Sequence, residues 1–125
     1  MKEIIATKSA PAAIGPYSQG ISAGNLVITS GQLPVDPATG SFAPGGGAEQ
    51  THQSLANVQA VLAQAGLTME NVIKTTVFLS DMNNFSAMNE VYATFFPQNP
   101  PARSAVEVAR LPKNALVEIE AIACR

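Results

Sequence analysis

The chain has 125 residues, 46% of them apolar and 13% charged, with a formal net charge of -2 and an isoelectric point near 5.2. That length fits one domain, residues 1–125, with enough chain to enclose a core. A slightly acidic chain without a basic cluster excludes an electrostatic grip on nucleic acid or anionic lipid, and no apolar run reaches the roughly 18 residues of a membrane span.

Charged residues make up about a quarter of an ordinary soluble domain. Their shortage here predicts that part of the surface is covered by other subunits. The single cysteine, Cys124, cannot close a disulfide within the chain and sits in a run of small apolar residues, where it reads as an inert buried thiol. The first residues, MKEIIATKSAP, lack the apolar stretch of a signal peptide, so the cytoplasm is the expected compartment.

Residues 2–6 read as a short strand. The following stretch, SAPAAIGPYSQG, carries too many prolines and glycines for regular structure. Tyr17 lies in it, either as a loop anchor or as a phenol lining a pocket. Residues 20–22 and 26–30 flank a turn and form a hairpin. Residues 31–47, rich in Pro and Gly, read as loop, for which function or disorder are both explanations.

Leu55, Val58, Leu62 and Ala65 recur at helical spacing and predict a helix over residues 48–65, stopped by Gly66. Residues 72–79 are rich in branched side chains on both faces, which marks a central strand. Asp81 caps a second helix whose apolar stripe is Phe85, Met88, Tyr92 and Phe95 or Phe96, with Pro97 as its end. Asn89 interrupts that stripe, facing either solvent or a site.

The segment PARSAVEVARLPKNALVEIE writes an arginine and a glutamate into otherwise apolar strands. Strand alternation places Arg103, Ala105 and Glu107 on one face, and Glu118 and Glu120 on one face with Leu116 and Ile122. A turn around Pro112 and Asn114 is expected to join the two strands as a hairpin, across which Arg103 and Glu118 meet. Arginine suits a planar carboxylate because its fork offers parallel donors and keeps its charge. A partly desolvated glutamate can hold and activate water.

The order β-β-β-α-β-α-β-β is an α+β pattern of about six strands, with two helices on one face and the other face left for solvent or a second subunit. Other chemistry finds little support. Ser30 and Gly31 stand in ITSGQ, which is not the GxSxG elbow of a hydrolase. His52 has no second ligand at metal spacing, and the glycines at 45–47 lack the Lys and Ser/Thr of a phosphate loop. No metal or cofactor is expected.

Five segments carry a family resemblance: APAAIGPYSQG (10–20), ITSGQLPVDPATG (28–40), VIKTTVFLSDM (72–82), NEVYATFF (89–96) and PARSAVEVARLPKNALVEIEAIA (101–123). Together they resemble the RidA (YjgF) family of reactive intermediate deaminases. The resemblance implies a chorismate mutase-like α+β fold with a mixed sheet, assembled as a homotrimer with sites in the clefts between subunits. It implies hydrolysis of enamines and imines such as 2-aminoacrylate and 2-aminocrotonate, released by pyridoxal-phosphate-dependent dehydratases, to 2-keto acids and ammonia.

Carried over by position, Arg103 grips the substrate carboxylate and Glu118 places the attacking water. Tyr17, Gly31 with Ser30 beside it, and Asn89 match the family's pocket residues. Ala105 stands where many members have cysteine, so only backbone contacts of that position carry over. Two other functions share the same residues: a non-catalytic module that binds small carboxylates and regulates a partner, and a ribonuclease, against which the acidic balance weighs.

Overall fold

A computed structural model describes residues Met1–Arg125. Its first helix, α1, spans Gly47–Gln64, one residue earlier at each end than the apolar spacing predicts. Leu55, Val58, Val61 and Leu62 recur on one side of it and are fully buried, each contributing about 1.5–3 kcal/mol by leaving water. Gly66 stops it with φ of 79°, and the Leu67 and Gly66 amides donate back to the Leu62 and Ala63 carbonyls.

The strands are β1 (Glu3–Ile5), β2 (Gly20–Ala23), β3 (Leu26–Thr29), β4 (Val35–Asp36), β5 (Ser41–Phe42), β6 (Val72–Leu79), β7 (Ala102–Glu107) and β8 (Val117–Cys124). Six form a mixed sheet in the order β1-β2-β3-β8-β6-β7, and β4 pairs with β5 alone. The expected six-stranded α+β architecture is present. The loop at 31–47 is ordered around that extra hairpin, because the buried Asn57 amide donates to the Leu33 and Val35 carbonyls at 3.0 and 2.8 Å.

Asp81 does cap, through its carboxylate and the Asn83 amide at 2.8 Å. The turn it caps is a short 3-10 segment, Met82–Asn84, which runs straight into helix α2, Phe85–Phe95. Met88, Tyr92 and Phe96 sink into the core, as the stripe predicts.

The expected hairpin of the last two strands is corrected. β7 and β8 are not neighbours: β6 lies between them, parallel to β7 and antiparallel to β8. β6 buries Thr75, Val77 and Leu79 on its core face and so takes a place inside the sheet, while α2 supplies the crossover that a parallel partner needs. The sheet continues past β7 and β8 on either side of β6, where Val108 donates to Leu79 and Ser80 donates to Leu116.

Both helices pack on one face of the sheet. Their core partners there are Val27, Val77, Leu79, Val117, Ile119, Ala121 and Ala123. The other face carries Ile28, Phe78, Val106 and Ile122 among Glu118, Glu120 and Thr76, in register across four strands. Ile28 and Val106 are each 43% exposed, so this apolar face has no cover within the chain. No helix is long and apolar enough to cross a membrane.

Candidate active site

Glu118 sits on the open face of β8, directly across from Phe78. Its neighbour on the other side is Gly31, which follows β3 and is pinned by the Gln32 and Ile119 backbones in a two-way bridge at 2.7 and 3.1 Å. The approach is close enough that a Cβ on Gly31 would stand 2.9 Å from the Glu118 carboxyl carbon and closer still to Oε2. Glycine is the residue that leaves the carboxylate in place.

Burial pushes the Glu118 carboxyl above the ordinary value of 4.5, and the nearby Glu120 charge adds to the push. No hydrogen bond opposes them. A half-buried carboxylate with no donor attached is free to take a proton from water or to orient one.

Glu118 and Gly31 open into a cavity of about 960 Å³ whose lining also includes Tyr17, Ser30, Gln19 and Lys113. Ser30 is held by its hydroxyl, which donates to the Ser18 carbonyl at 2.5 Å. Gln19 ties down the preceding loop: its amide donates to the carbonyls of Thr7, Ala10 and Pro11, and its oxygen accepts from the Thr7 amide. The loop between these anchors rises with Tyr17 52% exposed, its hydroxyl accepting from the Ile14 amide at 3.4 Å.

Arg103 and Asn89 lie elsewhere, the first on the edge strand β7 and the second on α2. Phe85, Asn89 and Tyr92 fall at i, i+4 and i+7 on α2 and so share one side of the helix. Arg103 enters that side. Its Nη1 donates to Asn89 Oδ1 at 2.7 Å, and its guanidinium carbon stands 4.7 Å from the Tyr92 ring centre and 5.5 Å from that of Phe85. One edge of the fork is occupied and the rest is available to a carboxylate. Ala105, two residues along the same face, packs partly buried against the core.

The expected meeting of Arg103 with Glu118 across a hairpin is therefore corrected too. Arg103 pairs with Thr75 and Glu118 with Phe78, three positions apart on the strand between them, so their side chains leave the sheet on opposite faces. The structure brings Tyr17, Ser30, Gly31 and Glu118 together, and separately Asn89 and Arg103.

Sequence reasoning assigned Phe85 and Tyr92 only to the core and passed over Gln19, Thr75 and Lys113. Their signal was the spacing of Phe85 and Tyr92 around Asn89, which puts all three on one side of a helix. Lys113 and Asn114 have φ of 56° and 57°, a local turn that alternation cannot reveal.

Comparison with known proteins places this arrangement. The family model described as Endoribonuclease L-PSP matches residues 7–125. A RutC family protein of Pyrococcus horikoshii is 56% identical over 98% of this chain and 98% of its own. The 2-iminobutanoate/2-iminopropanoate deaminase of Escherichia coli is 54% identical over 100% of this chain and 99% of its own. The crystal structure of Escherichia coli TdcF with bound serine superposes with a TM-score of 0.95, at 51% identity, over 98% of each chain. The chain belongs to this family, the RidA (YjgF) family that its five segments resemble.

Proposed function

We propose that the protein hydrolyses 2-imino acids and their 2-enamino tautomers, among them those derived from 2-aminoacrylate and 2-aminocrotonate, to 2-keto acids and ammonia. The observation that carries this reading is a pair of complementary, unfilled groups: a guanidinium fork walled by aromatic rings, and a half-buried carboxylate with no donor. The deaminase name of the Escherichia coli relative and the serine bound to TdcF support it.

In this reading Arg103 takes the substrate carboxylate in a bidentate pair, with Asn89 beside it. Glu118 accepts a proton from water as the oxygen adds to the imine carbon. The C=N electron pair moves to nitrogen, which is protonated, giving a carbinolamine. The nitrogen leaves as ammonia when the hydroxyl proton is lost and the carbonyl forms. Imines add water readily, so orientation and proton transfer are sufficient chemistry, with neither metal nor cofactor.

Arg103 and Glu118 occupy opposite faces of one sheet, so a site holding both takes them from two copies of the chain. The uncovered apolar face supplies the surface for that assembly, a homotrimer with three equivalent sites working in the cytoplasm. The family description also offers a nuclease reading. The net charge of -2 weakens any phosphate grip, and the one histidine, His52, packs edge-on against Phe95 outside the cavity. The test couples purified protein to a threonine dehydratase and follows decay of the released imine. Faster formation of 2-oxobutanoate than in buffer is expected, and a rate equal to buffer contradicts the reading.

A further inference from the structure

Arg103 ends a long side chain whose plane can rotate. A bidentate carboxylate pair needs that plane fixed, and a single hydrogen bond from Nη1 to Asn89 leaves it free to swing. The Tyr92 ring, its face 4.7 Å from the guanidinium carbon, restricts that freedom, and the Phe85 ring adds a second aromatic contact at 5.5 Å.

A ring can act as a wall only if it is itself held. Tyr92 is buried, and its hydroxyl is 2.7 Å from the Thr75 Oγ1, a buried pair in which each hydroxyl bonds only the other. Thr75 stands among Val77 and Leu79 on the core face, where a valine would pack equally well. It is also the register partner of Arg103 on the next strand. The chain of contacts runs from Thr75 through Tyr92 to the guanidinium and back to the neighbouring strand, a closed clamp.

We propose that Tyr92, tethered by Thr75, is a positioning residue that sets the plane of the Arg103 fork for a carboxylate. Neither residue of the tether donates to the substrate. Their effect passes through Arg103, and this inference rests on the reading that Arg103 receives a carboxylate.

The probe is 2-oxobutanoate, a stable keto acid with the same carboxylate, titrated against wild type, Thr75→Val and Tyr92→Phe. Both variants keep the ring and lose the tether. The Kd is expected to rise about 3- to 10-fold in each, and KM for the imine to rise more than kcat falls. Nitrogen NMR reads the clamp directly: wild type shows resolved Arg103 Nη signals, and the variants show averaged ones. Thermal melting identifies a variant that fails to fold, in which case the other carries the test. Wild-type Kd with resolved Nη signals in the folded variants overturns the inference while leaving the proposed reaction standing. Wild-type protein that neither binds 2-oxobutanoate nor hydrolyses the imine overturns both.

Discussion

Arg103 and Glu118 project from opposite faces of the same sheet, paired with Thr75 and Phe78 of the strand that separates them. Each is half-prepared. The arginine has aromatic walls and one acceptor, the glutamate has a cavity and no donor, and neither cluster completes the other within one chain.

Arg103→Ala removes the cation that holds the substrate carboxylate. Loss of one charged partner at a desolvated site costs about 2–5 kcal/mol, so kcat/KM for the imine is expected to fall by about 30-fold or more. Arg103→Lys keeps the charge and loses the fork, and should recover little of that activity. Steady-state kinetics of both variants with the coupled dehydratase check this; a lysine variant at wild-type rate shows that the fork is irrelevant.

Gly31→Ala places a methyl 2.9 Å from the Glu118 carboxyl carbon. The carboxylate has to move, and a displacement of this kind in a proton-transferring group lowers kcat by about 100-fold. The fold should survive, because the side chain beside it can yield into an open cavity. Circular dichroism and kinetics on the same preparation separate the two effects, and unchanged kcat would place Glu118 outside the chemistry.

Glu118 has a carboxyl held above 4.5 by burial and by Glu120. Activity that needs the carboxylate falls as pH drops through this raised value, so the acid limb of kcat/KM lies above the ordinary glutamate range. Stability runs the other way. A pKa higher in the folded than in the unfolded state favours the fold below the unfolded value, and that benefit is lost as pH rises through the folded one. Glu118→Gln should abolish the limb along with activity and melt higher than wild type at neutral pH. An acid limb at or below 4.5 contradicts the assignment.

Ser54 is fully buried on α1, and its hydroxyl is a side-chain atom without any partner. An unsatisfied buried hydroxyl costs about 1 kcal/mol or more. Ser54→Ala should therefore raise stability by roughly 1 kcal/mol in denaturant melts and leave imine hydrolysis as it was, since Ser54 borders neither cluster. A loss of stability would mean that the hydroxyl finds a partner in solution.

Much of the fold was legible because it is encoded locally. The spacing of Leu55, Val58 and Leu62 with Gly66 beyond them located α1, and the branched run at 72–79 marked the central strand. Strand pairing was not legible, since the alternation of β7 and β8 is equally compatible with a hairpin and with a third strand between them. What decides is the α2 crossover, a relation between distant segments. At the site, Arg103 and Glu118 stood out as charges in apolar strands. The aromatic walls around Arg103 did not, because Phe85 and Tyr92 serve the core and the guanidinium with the same side chains.

Arg103→Ala and Glu118→Ala each inactivate a site, and copies of the two variants unfolded and refolded together distinguish a shared site from one built within a single chain. With equal mixing, half the copies offer Arg103 and half offer Glu118, so about one site in four receives both. The refolded mixture is expected to regain about a quarter of wild-type imine hydrolysis, while each variant refolded alone stays inactive. A mixture no more active than either variant alone contradicts a site shared between copies.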